Sequence, residues 1–218
     1  METKKDTSEN KDKNKNNKSE FLIATANKDK VKEISTILSP LDIKVKPFYE
    51  IKKDIFMPDE TGMTFKENAE IKADYIYNLT KMATIADDSG LMVDALNGAP
   101  GIYSARYAGK DAKNFEKIEK ILKEMKGVPK EKRTAKFICT ICCILSDGKK
   151  IFTTGECEGI IAEKATGRQG FGYDPIFLTS NGKSFAELSE HEKNEISHRG
   201  MALKKLYCIL KETLKCKS

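Results

Sequence analysis

The sequence has no tryptophan and only two histidines in 218 residues. With His191 and His198 alone there is no H-E-x-x-H or similar paired-histidine motif, so a zinc hydrolase is unsupported. No run of about 18 apolar residues occurs, and no transmembrane helix is expected. The N-terminus lacks the apolar stretch of a secretory signal, and its acids and lack of arginine argue against a transit peptide. Six cysteines, irregularly spaced, are not a disulfide framework, so a reducing cytoplasm is the expected compartment. Cys139 and Cys142 form a C-x-x-C, but they share an apolar run with Cys143 and no second pair has metal spacing. Buried structural thiols are the expectation there. A G-x-S-x-G elbow is also missing, and with it the support for a serine hydrolase.

What the sequence has is charge: 33% of residues, with a net of +6 and an apolar fraction of 39%. The polar excess is uneven. Residues 1–19 contain a single apolar residue, Met1, and set Lys4, Lys5, Lys11, Lys13, Lys15 and Lys18 against Glu2, Asp6, Glu9 and Asp12. This reads as a disordered Lys/Asn-rich arm. The rest, residues 20–218, is long enough for one domain with a sizeable core. Its net charge of +4 is too small to indicate a nucleic-acid protein.

Order is expected from Phe21. FLIAT at 21–25 reads as a buried strand. A helix follows with Val31, Ile34 and Leu38 on one face, capped by Asn27 or Asp29 and stopped by Pro40. Thr64 and Glu67 form a capping box for a second helix, with Phe65, Ala69, Ala73, Ile76 and Leu79 as its stripe. At about 100° per residue Lys72 falls inside that stripe, so its ammonium must snorkel out or meet an anion. MATIA at 82–86 is a short strand that runs into Asp87-Asp88-Ser89-Gly90. Residues 114–126 read as a helix with Phe115, Ile118, Leu122 and Met125 inward. Two β runs flank Asp147-Gly148 as a hairpin, Ser184 and Glu187 form another capping box, and a last helix spans about 199–215. Strands alternate with helices first and a hairpin comes later, which predicts an α/β fold with a mixed sheet.

Several groups carry candidate chemistry. Asp87 and Asp88 read as a turn with an Asx bond, or as loop acids for Mg²⁺ or for activating water. Asp59 and Glu60 are a second acidic cluster, and with Asp88 they are the right stock for a hard cation. Lys30, Lys72, Arg168, Lys193, His198 and Arg199 are the cations available for a triphosphate. Asn27 to Lys30 sits at a strand-to-helix junction, where backbone N–H groups favour anions. GRQGFGYDP at 167–175 has neither the Walker A ending nor the dinucleotide spacing. It is either a loop with an aromatic plug or a backbone approach to a flat ligand on which Phe171 or Tyr173 stacks.

Taken together, ATANKDKVKE (24–33), ETGMTFKENAEIKA (60–73), ADDSGLMVDALNGAPGIYSARYAG (86–109), GRQGFGYDPIF (167–177) and EKNEISHRGMAL (192–203) resemble the inosine triphosphate pyrophosphatases. The resemblance covers residues 21–213. Two positions depart from the pattern: Ala26 stands where Gly usually precedes Asn, and Asp59 where bacterial relatives often carry Glu.

The resemblance implies an elongated α/β fold with a mixed central sheet flanked by helices, two lobes around a substrate cleft, and a homodimer. It implies Mg²⁺-dependent hydrolysis of ITP, dITP and XTP to the monophosphate and pyrophosphate, with Mn²⁺ as a substitute ion. Thr25, Asn27 and Lys30 would bind phosphate, and Lys72 would reach toward it. Asp59 or Glu60, with Asp88, would hold the metal. Asp88 would also be the base, with Asp87 a second-choice ligand, and Ser89 would bond substrate. Phe171, Gly172, Tyr173, Asp174, Lys193, His198 and Arg199 would form the base pocket, with Phe171 stacking and Arg199 or nearby backbone N–H groups donating to the purine 6-carbonyl. Two other readings are a Maf-like pyrophosphatase of different base specificity and a nucleic-acid-binding module that uses the basic arm. Neither a membrane nor a specific nucleic acid is an expected partner.

Overall fold

The computed structural model describes residues 19–41, 43–51 and 56–215. The expected arm lies outside them except for Ser19, which already belongs to the first strand, two residues before the expected start. Six strands form one mixed sheet in the order β2-β1-β3-β4-β5-β6. They are β1 (Ser19–Ile23), β2 (Ile43–Pro47), β3 (Ala83–Val93), β4 (Thr134–Ile144), β5 (Lys150–Ile161) and β6 (Phe177–Leu178). β1 runs parallel to both β2 and β3, and the β3–β4, β4–β5 and β5–β6 pairs are antiparallel. The β4–β5 hairpin turns at Asp147-Gly148, where Gly148 takes a φ of 83°.

The helices are α1 (Lys28–Leu38), α2 (Phe65–Thr80), α3 (Asn114–Glu124), α4 (Glu190–Ile196) and α5 (His198–Lys215). Asn27 caps α1 by accepting from the Asp29 and Lys30 N–H groups, a bond set that contributes about 1 kcal/mol. Thr64 and Glu67 make the expected capping box of α2. The Ser184–Glu187 box is also present, but it heads a short 3-10 turn, Phe185–Glu187.

α2 covers one face of the sheet and α1 and α5 the other. Each face has its own core. Ile23, Ile34, Leu38, Ile85, Ile141, Leu203, Leu206 and Leu210 pack under α1 and α5. Leu22, Phe48, Ala69, Ala73, Ile76 and Ile144 pack under α2. A third core at the far end of the long strands joins Leu91, Val93, Ile121, Phe137, Ile161, Phe177 and Phe185. Each fully buried Leu, Ile or Phe contributes about 1.5–3 kcal/mol. Two lobes result, with a seam between them. Along β3 the near cores end at Ala86 and the far core begins at Leu91, so residues 87–90 lie on the seam.

Two apolar positions differ from expectation. Leu79 in the last turn of α2 is 46% exposed and Phe115 in the first turn of α3 is 54% exposed. Both stripes are buried in their middles and open at one end.

Candidate active site

β1 accompanies β3 only as far as Ile85, where the last bond runs from the Ala24 N–H to the Ile85 carbonyl at 2.8 Å. Beyond that point β3 keeps β4 on one edge and opens the other to the seam. Asp87, Asp88 and Ser89 are strand residues, paired with Ile141, Thr140 and Cys139 of β4. This corrects both the turn reading and the strand end expected at residue 86. The antiparallel ladder holds the acids extended, and the alternation of side chains sends Asp87 and Ser89 to one face and Asp88 to the other.

On the α1/α5 face Asp87 is 1% exposed. Its Oδ2 accepts from Arg199 Nε and Nη2, both at 3.1 Å, and pairs with Lys30 Nζ at 3.0 Å. Burial would raise the Asp87 carboxyl, but the Lys30, Arg199 and Lys72 charges outweigh it and hold it far below the usual carboxylate range. Arg199 also donates to Ser89 Oγ at 2.7 Å and Glu33 Oε2 at 2.7 Å. Four of its five N–H groups are therefore committed. Arg199 sits deep because α5 meets β5 at Gly155, where a Cβ would lie 2.2 Å from the His198 carbonyl oxygen.

On the α2 face, Lys72 Nζ donates to Asp88 Oδ1 at 2.9 Å and Glu60 Oε1 at 2.6 Å. The inward lysine thus meets two anions. Asn68, one helical turn before Lys72, donates to Asp88 Oδ2 at 3.4 Å and accepts from the Gly62 N–H. Burial raises the Asp88 carboxyl above its ordinary value, the Glu60 charge adds to that, and Lys72 only partly offsets it. Burial also opposes the Lys72 charge, but Asp88, Asp87 and Glu60 hold that ammonium protonated.

The Gly-rich loop closes the far end. Asp174 Oδ2 accepts from the Phe171 N–H and from Lys193 Nζ, both at 2.8 Å, and Tyr173 Oη donates to the Ser104 carbonyl at 2.9 Å. Lys193 also pairs with Glu33, and its ammonium lies 4.7 Å from the Phe171 ring centroid. His198 is stacked on Phe137 at 4.6 Å. Burial and the Arg199 and Lys193 charges push its pKa well down, so the imidazole is neutral.

These groups line two adjoining cavities. The inner one includes Asn27, Lys30, Glu60, Asp88, Ser89, Phe171, Gly172, Tyr173, Asp174, Lys193, His198 and Arg199. The outer one includes Thr25, Asn27, Lys30, Asp59, Glu60, Lys72 and Arg106. Asn27, Lys30 and Glu60 belong to both. The site combines a deep aromatic end rich in donors with a wider mouth of lysines and carboxylates, a shape suited to a flat base attached to a polyanion.

The Ham1 family model matches residues 21–209. The chain belongs to the Ham1 family. It is 49% identical to a dITP/XTP pyrophosphatase of Listeria innocua over 200 residues, which is 90% of this chain and 97% of that one. With a dITP/XTP pyrophosphatase of Bacillus subtilis it shares 47% identity, over 88% of this chain and 96% of that one. Among solved structures, a HAM1 protein from Coxiella burnetii superposes with a TM-score of 0.81 at 42% identity, covering 89% of this chain and 99% of that one. The Ham1 protein of Staphylococcus aureus gives 0.80 at 39% identity, covering 89% and 100%. The expected family and fold class are therefore found, and the Maf-like alternative is set aside.

Asp87, the second-choice ligand, lines neither cavity and is sealed behind Lys30 and Arg199; the other residues expected to bind phosphate, metal or base line one or both cavities of this Ham1 fold. Several of them are already committed within it. Asn27 Oδ1 caps α1, which leaves its amide NH₂ to offer, and Thr25 Oγ1 accepts from the Asn27 N–H. Asp174 and Tyr173 brace the loop. Asp59 is exposed on the outer wall, whereas Glu60 is tied to Lys72 and to Arg106 Nη1 at 3.3 Å. Among the described residues no three carboxylate, imidazole or thiol groups converge as a metal-binding set. Arg168 is exposed and lines neither cavity, so it leaves the cation stock. Cys139, Cys142 and Cys143 are buried thiols, raised by burial, Cys142 to about 12.

Sequence reading missed Glu33, Asn68, Arg106, Lys117 and Phe137. Glu33 lies three residues after Lys30 and Asn68 four before Lys72, so helical spacing places each beside a residue already chosen. Arg106, Lys117 and Phe137 had no such signal.

Proposed function

We propose that this chain hydrolyses non-standard purine nucleoside triphosphates, dITP, XTP and ITP among them, to the monophosphate and pyrophosphate. The observation that carries the reading is the opposite treatment of two adjacent carboxylates at the mouth of an aromatic pocket. Asp87 is locked as an anion by Arg199 and Lys30, while Asp88 has its proton affinity raised. Environments that separate two carboxylates in this way assign them different roles. Asp88 is the base that takes a proton from the attacking water, and Asp87 is a fixed counter-charge that orients Arg199 and Lys30.

A hard divalent cation fits the Asp88–Glu60 pair. Both carboxylates already share one cationic group, the Lys72 ammonium, and Mg²⁺ takes one or two carboxylates and completes its shell with water and phosphate. Mg²⁺, or Mn²⁺ in its place, would be held there, with Asp59 nearby on the outer wall. When bound it supplies charge neutralisation of the phosphates. Lys72 and Lys30 hold the phosphate chain from either side of the mouth. Asn68 keeps Asp88 aimed, and Ser89, oriented by Arg199, bonds the substrate.

Phe171 stacks on the purine at the inner end. Lys193, neutral His198, the remaining Arg199 N–H and backbone N–H groups meet the 6-carbonyl of hypoxanthine or xanthine. Adenine puts an amine there and leaves each donor unpaired, at a cost of about 1–3 kcal/mol. The chain is further proposed to act as a single domain over residues 20–218, as a homodimer, in the cytoplasm; among the described residues no helix is long and apolar enough to cross a membrane. The test is pyrophosphate release from dITP, XTP, ITP, GTP, ATP and UTP with and without Mg²⁺. A kcat/KM for dITP and XTP at least about tenfold above that for ATP is expected. Equal values for dITP and ATP would sink the reading.

A further inference from the structure

The charges of the cleft come in closed pairs. Lys30 is paired with Asp87, Lys72 with Glu60 and Asp88, Lys193 with Glu33 and Asp174, and Arg199 with Asp87 and Glu33. Arg106 shares Glu60. These cations and acids balance one for one, so the paired set brings no excess positive charge to a triphosphate. A polyanion entering such a cleft must break pairs or find cations outside them.

Lys117 is such a cation. It projects from the first turn of α3, on the far lobe, and lines the inner cavity together with Asn114 of the same turn. Its Nζ meets the Ala105 carbonyl oxygen at 3.5 Å, a marginal bond, and among the described residues it has no carboxylate partner. Lys110 also lacks one, but it is exposed at the outer wall. Lys117 is half-buried, and burial alone pulls its pKa down. An ammonium that is partly stripped of water and uncompensated gains from a nearby anion.

We propose that Lys117 is a substrate-binding residue that holds the phosphate chain from the far lobe, across the seam from Lys30 and Lys72. This rests on the pyrophosphatase reading of the same site. Nothing in it asks Lys117 to take part in proton transfer. Its role is to add one charge-assisted contact in the bound state and to draw the two lobes onto the substrate.

The experiment compares the full chain with Lys117→Met, Lys117→Arg and Lys123→Met. Lys123 is exposed on the same helix and controls for the loss of one positive charge. For Lys117→Met, KM for dITP rises about tenfold while kcat changes less than about threefold. Tripolyphosphate, used as a phosphate-only probe in calorimetry, loses affinity by the same factor. Lys117→Arg restores most of both values and Lys123→Met matches the unaltered chain. Inosine affinity stays put, because a nucleoside offers no phosphate. Values of KM and tripolyphosphate affinity within twofold of the unaltered chain would overturn the proposal, and so would a loss of inosine affinity with tripolyphosphate unchanged. The calorimetric comparison needs no turnover, so it judges Lys117 even if dITP is not hydrolysed, an outcome that would count against the pyrophosphatase reading instead.

Discussion

Asp87 and Asp88 are neighbours on one strand, both almost fully buried, and they live in opposite electrostatic surroundings. Asp87 faces two cations, and its ionised form is over-stabilised. Asp88 shares its one cation with a second carboxylate, so part of the attraction of Lys72 is offset by the repulsion of Glu60. Burial costs both residues the same kind of penalty, and the partners decide the sign of the result. The first arrangement favours rigidity and the second favours reactivity. A β-strand suits this division, because its alternation separates adjacent residues by the thickness of the sheet without moving the chain.

The largest break in the comparison comes from Asp88→Asn. The amide keeps the shape and can still accept from Lys72, but its NH₂ replaces the oxygen that accepts from Asn68, and it cannot take a proton. Pyrophosphate release from dITP is expected to fall about 10²–10⁴-fold. The folded state should hold, since the Lys72 ammonium keeps Glu60 as its anion. A loss of under threefold would remove Asp88 from the role of base.

The mirror change, Asp87→Asn, should act on stability. It leaves buried Arg199 and partly buried Lys30 without their shared anion, a defect of about 3–5 kcal/mol. The urea midpoint reads it. A destabilisation under about 1 kcal/mol would show that Glu33 and Ser89 suffice to hold Arg199.

Much of this site was legible locally. Helical spacing alone turned Lys72 inward, and the caps at Asn27 and Thr64 set where α1 and α2 begin. What local reading missed has a physical reason. Two acids in the middle of a strand contradict the apolar pattern by which buried strands are recognised, so Asp87 and Asp88 looked like the end of β3. Their place in the strand depends on Lys30, Lys72 and above all Arg199, which is 112 residues away from Asp87 in sequence. Glu33 was hidden for the opposite reason: one more acid on a charged helix looks like a solvated face until Lys193 and Arg199 arrive from α4 and α5.

The smallest and sharpest consequence concerns pH. Water activation needs ionised Asp88, so kcat/KM falls as pH drops through the Asp88 value, which before metal binds lies above the ordinary Asp value of about 3.9. The Asp87 shift has the other direction. Its native pKa is depressed, so its contribution is present above the unfolded value of about 3.9 and is lost only as pH falls toward the lower native one. Activity therefore disappears at a higher pH than the fold does. In the interval between, near-UV circular dichroism stays native while turnover is lost, and activity returns on neutralisation. Burial and the Arg199 and Lys193 charges push the His198 pKa well below the ordinary imidazole value, so His198 does not place a limb near neutral pH. Lys72→Met should shift the limb upward, since burial and the Glu60 charge are then opposed by Lys30 but no longer by Lys72. A limb that coincides with unfolding, or one that Lys72→Met leaves in place, would mean that the two carboxylates are not divided as the strand geometry divides them.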